Sequence, residues 1–463
     1  MSTPAPDDVR STGGSIFDAE HRTLTFGVVA VITVAAFEAM GVITAMPVTV
    51  RELDGLSLYA WTFTAFVVTS LFAMVVAGEA ADRRGPLPPL MVGAALFALG
   101  TLVAGAAPTI LWFLLGRAVQ GLGSGAVIVA VYVVIGRGYP EHMRPRMFTA
   151  LSGAWIVPGL LGPAVAGTVT DTVGWRWVYI GVLVLMIPIV ATLVPRLLAL
   201  HLPGDPSSRP QPGRKRRALM AAFGTGLLQY AGQRLDLWSL VLLAVGLVLL
   251  ALSVPRLLPV GALRLRRGLP TVVMQRGFVA GAFFAAEAFI PLMLVNERGL
   301  SSARAGLTIS GTAVGWFLGS WYQGRPATKR SRPSLVWLGN LVVTIGIALT
   351  AVVLIPGVPT AVSVLTWGTG AFGMGVVMAS LGVLLLDLSP AAEQGVNSAS
   401  FQVADSLGVV VATGAAETVF AAGHVAPGRD AGVYVVIFAG STAVAAFATA
   451  VAGRVRPRPA VSA

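Results

Sequence analysis

Long apolar runs, separated by short polar and often arginine-bearing segments, recur along the whole chain. A helix needs about 20 mostly apolar residues to cross the hydrocarbon of a bilayer. That measure predicts spans near 24–48, 59–80, 88–107, 110–136, 147–170 and 175–195. A second set of six is predicted near 277–296, 301–322, 334–355, 360–388, 397–421 and 431–453, with two further runs, 218–233 and 238–258, between the sets. The run from 218 is short and carries Gln229, so it reads either as a full span or as a shallow helix. The expected fold class is an all-α polytopic membrane protein: two six-helix bundles with two extra helices between them. Its parts would be a disordered tail over 1–23, bundles over 24–195 and 277–453, a basic linker with the additional helices over 196–276, and a second tail over 454–463.

One run is interrupted in an informative way. From Gly153 to Gly167 it reads GAWIVPGLLGPAVAG, with Pro158 and Pro163 set among glycines. In a bilayer, neighbouring helices re-satisfy the backbone groups that proline frees, and glycine lets another backbone approach closely. The fifth span is therefore expected to be a kinked, tightly packed helix.

Composition agrees with the pattern and narrows the chemistry. With 56% hydrophobic and 11% charged residues over 463 positions, the chain is far from the soluble average. It has no cysteine, hence no disulfide or thiolate chemistry, and its four histidines (His21, His142, His201, His424) fall outside the apolar runs without a second ligand nearby, so no metal is expected. Neither lysine, Lys215 or Lys329, is followed by Ser or Thr, which excludes a P-loop. The literal dinucleotide pattern GTGAFG from Gly368 to Gly373 lies inside an apolar run with no strand before it, and carries no meaning. Neither an enzyme nor a cofactor is expected.

The net charge of +12 changes the picture through its distribution. Most of the 32 Lys and Arg residues fall in alternate loops, as cytoplasmic loops require, which places both termini in the cytoplasm. Arg10, Arg209, Arg458 and the RKRR cluster at 214–217 are on that side, and Arg234 is on the other; the cluster is explained by orientation and anionic headgroups, not nucleic acid. Trp61, Trp112, Trp175, Trp177 and Trp238 near outer ends, and Trp321 and Trp337 near inner ends, read as interfacial anchors.

Charged side chains within spans avoid lipid, since exposing one at the bilayer centre costs roughly 2.5–3.5 kcal/mol on insertion scales. Four acids qualify: Glu38, Glu287, Asp405 and Glu417. Glu38 and Glu287 lie in repeat-equivalent helices and could share one cavity, as proton-carrying and substrate-binding acids or as protonated packing partners. Asp405 fits either role equally, and Glu417, near an outer end, reads as interfacial. Arg117 is the basic residue placed inside a span and needs an acidic or carbonyl partner. Trp155, Trp316, Phe283 and Phe284 could wall a pocket that attracts cations, or simply pack.

The two sets of six look like an internal repeat, an arrangement typical of transporters with a midplane site. At these residues the chain resembles the major facilitator superfamily. GEAADRRG matches its loop signature at Gly78, Asp82, Arg83 and Gly85, and FLLGRAVQGLGSG matches a fourth-span pattern at Arg117, Gln120, Gly121 and Gly123. Gly162, Pro163 and Gly167 match the antiporter signature, and WRWVY follows from Trp175 to Tyr179. The extra pair of runs resembles the fourteen-helix drug:proton antiporters of the EmrB/QacA type, with Glu38 nine residues before Pro47 where members carry Asp. Met40, Pro86, Leu87 and Ala166 depart from the family pattern.

The resemblance implies a major facilitator fold in the cell membrane, functional as a monomer, whose partners are a small-molecule substrate, protons and lipids. Proton coupling is expected through the span acids Glu38, Glu287 and Asp405 and, as the resemblance implies, Arg117, with conformational roles for Gly78, Asp82, Arg83, Gly85, Gln120, Gly121, Gly162, Pro163 and Gly167. The expected function is proton-driven export of small hydrophobic or cationic compounds such as drugs. Export of a lipid or natural product, proton-coupled import, and a non-transporting receptor or scaffold stay open at this point.

Overall fold

The computed structural model describes residues 14–205, 208, 211–231, 237–325 and 327–457. The tails at 1–13 and 458–463, the end of the run expected at 218–233, and Arg10, Arg209, Arg234 and Arg458 lie outside the described residues. All regular structure among the described residues is helical.

The N-terminal bundle comprises α1 (Arg22–Glu52), α2 (Trp61–Arg84), α3 (Leu87–Gly105), α4 (Ile110–Gly138), α5 (Arg144–Gly153), α6 (Ile156–Thr172) and α7 (Arg176–Leu200). A hairpin of α8 (Arg214–Ala231) and α9 (Leu237–Leu257) follows. The C-terminal bundle comprises α10 (Leu269–Arg298), α11 (Ser302–Gly324), α12 (Arg332–Thr350), α13 (Val362–Leu388), α14 (Gln394–Gly423) and α15 (Ala431–Val451). Twelve spans among the described residues are long and apolar enough to cross a membrane, with α5 and α6 forming one of them; α8 and α11 fall short of that measure.

The expected repeat is visible in the packing. In the first bundle α2 and α3 pack on α4, α1 on α6 and α7, and α3 on α7. In the second, α11 and α12 pack on α13, α10 on α14 and α15, and α12 on α15, which is the same scheme helix for helix. Small residues set the spacing: a Cβ placed on Gly339 of α12 would meet the backbone nitrogen of Val377 of α13 at 2.8 Å. The central α4 and α13 are the most enclosed helices, while α9 turns most of its apolar surface outward.

The fifth span is one kinked span, as expected: the helix lapses at Ala154 and Trp155, both still right-handed helical, where the Pro158 ring would otherwise meet the carbonyl four residues earlier. Two expectations change. Residues 14–21 are packed and not disordered: Thr25 Oγ1 donates to Ile16 O at 2.5 Å, Arg146 Nη1 to Gly14 O at 2.6 Å, and Arg196 Nη2 to Glu20 O. Within the RKRR cluster, Arg214 is buried, with Nη2 donating to Leu257 O, Val396 O and Ser400 Oγ, so it braces protein and does not meet headgroups.

Candidate functional site

Between the bundles lies a cavity of about 1020 Å³, lined mainly by apolar and aromatic side chains, with Glu38 on one wall and Glu287 on the other. Its size suits an organic molecule of drug dimensions.

On the N-terminal wall, Glu38 of α1 is 3% exposed and accepts a 2.6 Å bond from Arg117 Nη1 of α4. The same Nη1 donates to Gln120 Oε1 at 2.5 Å, and Nε donates to Thr62 O of α2 at 3.1 Å. The guanidinium lies 4.5 Å from the centre of the Phe66 ring, and Gln120 Nε2 donates to Thr101 Oγ1 of α3 at 3.0 Å. Arg117 therefore ties α4 to α1 and α2 directly and to α3 through Gln120; an acidic or a carbonyl partner was expected, and it has both. Gln120, expected to act conformationally, is part of this polar network.

The C-terminal wall is built differently. Glu287 Oε1 of α10 accepts from Thr312 Oγ1 of α11 at 3.2 Å and from Trp367 Nε1 of α13 at 3.4 Å, both neutral donors. Trp367 is fully buried and stacked on Phe283 with ring centres 4.3 Å apart. Phe283, expected in the pocket wall, thus sits behind it as a support, whereas Phe284, Trp316 and the half-exposed Trp155 do line the cavity. Trp155 sits at the kink, immediately before α6.

Trp367 and Thr312 were missed from sequence. Polar donors on the helices flanking an intramembrane acid were the available signal. Arg276 was also misplaced: α10 begins at Leu269, eight residues before the expected start, so Arg276 belongs to a span, and Arg117 is not alone there. Its Nε donates to Asp405 Oδ1 of α14 at 2.6 Å, its guanidinium lies 4.9 Å from the Phe401 ring centre, and both charged residues line the cavity. Glu417 is exposed near the end of α14. Trp175, expected as an anchor, is 1% exposed; its Nε1 donates to Glu52 and its ring packs edge-on against Phe113 and Tyr179.

The cavity ends in a seal at the face that carries the basic loops. Asp82 of α2 is fully buried and accepts 2.7 Å bonds from the backbone N–H groups of Gly395 and Val396, at the start of α14, and a 3.1 Å bond from Arg137 Nη2. A solvated loop is excluded for this residue. Arg137, not the exposed Arg83, is its cationic partner, and Arg137 also donates to Ala391 O across the seam. Gly78 permits the approach, since a Cβ there would stand 2.5 Å from Gly395 O. Gly85, with φ +82°, turns the chain out of α2. Gly121 abuts the Phe66 carbonyl of α2. Further in, Arg144 Nη1 pairs with Asp387 Oδ1 at 2.7 Å, and Thr149 and Ser152 of α5 bond to Ser320 of α11. At the opposite end of α1, Gly162 faces Met40, Gly167 faces Thr44, and Pro163 lines the cavity.

The model of the Major Facilitator Superfamily matches residues 28–413. A probable multidrug-efflux transporter of Mycobacterium tuberculosis is 26% identical over 378 residues, covering 78% of this chain and 79% of that protein. An uncharacterized MFS-type transporter of Schizosaccharomyces pombe is 32% identical over 153 residues, which span 33% of this chain and only 26% of the yeast protein. Among solved structures, that of the human organic anion transporter MFSD10 superposes with a TM-score of 0.71, covering 94% of this chain and 99% of that one, at 12% identity, a likeness of fold alone.

Proposed function

Because the chain belongs to the major facilitator superfamily, we propose that it is a proton-coupled antiporter exporting small hydrophobic or cationic compounds, drugs among them, across the cell membrane. The observation that carries this reading is one cavity lined by two acids of opposite bundles, Glu38 and Glu287. The multidrug-efflux name of the mycobacterial relative supports the substrate class. In this reading the basic face is cytoplasmic, both termini lie inside, one chain suffices for transport, and the sealed arrangement is the outward-facing state.

In the inward-facing state ionised Glu38 and Glu287 receive the substrate; in the outward-facing state protons from outside displace it. A proton on Glu38 dissolves its ion pair with Arg117, and because that arginine also holds Thr62 and Gln120, the change is felt in α1, α2 and α4 together. Glu287 has neutral partners, so its proton exchanges directly against a cationic group. One charge moving through 100 mV supplies about 2.3 kcal/mol, roughly a fiftyfold concentration ratio.

Reconstitution into liposomes with an imposed pH gradient tests the reading. Gradient-driven uptake of a cationic dye is expected, with at least tenfold loss in Glu38→Gln and in Glu287→Gln. Undiminished uptake in both variants removes these acids from the mechanism, and absence of flux for a broad panel of compounds removes export itself.

A further inference from the structure

The charged groups of the cavity are not all committed alike. Arg117 spends Nε and Nη1 on Thr62, Glu38 and Gln120. Arg276 spends only Nε, on Asp405 Oδ1, and no other protein partner engages its Nη groups among the described residues. A guanidinium has five N–H donors in a rigid fork, and the side chain of Arg276 keeps 14% of its surface accessible at a cavity-lining position. The salt bridge to Asp405 and the Phe401 ring constrain the guanidinium, whose Nη groups stay without a protein partner among the described residues at a position that lines the cavity. Tyr132 flanks the same Phe401 ring from the other bundle, and Gln402 adjoins it; both line the cavity and both carry hydrogen-bond donors.

Arg276 and Glu287 are also related by position. Eleven residues are close to three whole turns of helix, so the two lie on one stripe of α10 with about 16 Å between them along its axis. One wall of the cavity thus offers an oriented cation deep in the fold, near the seal, and an acid farther out.

We infer that Arg276 forms an anion-binding subsite that takes a carboxylate of the transported compound, so that the cavity accommodates zwitterions with the carboxylate at Arg276 and the ammonium toward Glu287. The inference rests on the cavity being the compartment for exported compounds. A paired guanidinium offers directed donors more than net charge, so the preference conferred is about tenfold and not absolute.

Two fluorescent probes differ only in the group concerned. Nα-dansyl-lysine carries an ammonium and a carboxylate, and dansylcadaverine is the same molecule without the carboxylate. Energy transfer from Trp155 and Trp316 to the dansyl group reports equilibrium binding to the purified full chain. Nα-dansyl-lysine is expected to bind about tenfold tighter than dansylcadaverine. The paired substitution Arg276→Gln with Asp405→Asn, which removes both charges without stranding one, is expected to bring the ratio to about one. Arg276→Lys, which keeps the charge but loses the fork, should leave two- to fivefold. Equal affinities in the unaltered protein, or a tenfold ratio that survives either variant, overturns the subsite. If the ratio behaves as expected while liposomes show no flux of either probe, the exporter reading fails and the subsite stands; flux of both probes without a ratio does the reverse.

Discussion

Glu38 and Arg117 face each other at 2.6 Å, with side chains 4% and 5% exposed. Removing one member of such a pair strands the other, typically at about 3–5 kcal/mol, whereas removing both is much milder. Arg117→Gln is therefore expected to lower the thermal unfolding midpoint sharply, and Arg117→Gln combined with Glu38→Gln to recover most of the loss, as measured by scanning fluorimetry in detergent. A double variant no better than the single one contradicts a paired site. The acids at 38 and 287 and the arginine at 117 could be found from sequence because a charge inside an apolar run must have a partner or water. Arg276 could not, because an arginine just before a run reads the same whether the helix has begun or not. Phe283 and Trp175 show a related limit: hydropathy tells which residues avoid water, but not whether an aromatic ring faces a cavity, the lipid or a second ring behind the wall.

The helical elements followed from the length of the apolar runs, and their ends did not. A mixed stretch ending in Gln275 and Arg276, such as 269–276, continues a helix when a neighbour covers it, as α14 and α15 cover α10. The kink between α5 and α6 was legible from the prolines, but its place depends on which carbonyl Pro158 would strike, which apolar periodicity does not register. The α8–α9 hairpin gives an element-scale test. Arg214 joins the start of α8 to the end of α9 and to α14, where Ser400 Oγ also donates to Leu257 O at 2.6 Å. Arg214→Ala is expected to cost about 1.5–3 kcal/mol, the range for charge-assisted bonds lost from a buried site, seen as a lower unfolding midpoint. Arg217→Ala, in contact with less of the protein, should change it little. At the opposite face, the Val425 N–H and then His424 hold the carboxyl of Asp430 below the usual carboxylate range, anchoring the loop between α14 and α15. A lowered folded-state pKa stabilises above the unfolded value, near 4, and that contribution is lost as pH falls through the folded value. The midpoint difference between the protein and its Asp430→Asn variant should therefore be present at pH 6–7 and close below pH 4; a difference independent of pH would show that ionisation is not what anchors the loop.

For the whole molecule, the hydrogen bonds between bundles gather at the basic face, around Asp82, Arg137, Arg144 and Ser320. Two bundles with the same internal scheme can rock as rigid bodies about such a seam. Asp82→Asn, which keeps the shape but loses the charge, is expected to shift the balance toward the opposite opening by roughly tenfold, about 1.4 kcal/mol. The chain has no cysteine, so Ser320→Cys supplies a lone thiol in the seam; its modification by a membrane-impermeant reagent should quicken about tenfold in the Asp82→Asn background, and an unchanged rate would place the controlling contacts elsewhere. The closure around Asp82 is made of a carboxylate, backbone amides and the Arg137 guanidinium, groups that water can also solvate. When the bundles part, water can therefore take up these polar groups, and the dry surface to be wetted is the small apolar patch of Met74, Ala77 and Ala399 beside them. In the proposed transport cycle, a latch of this kind costs less to release than an apolar contact of equal area would, because water can satisfy each polar group it frees.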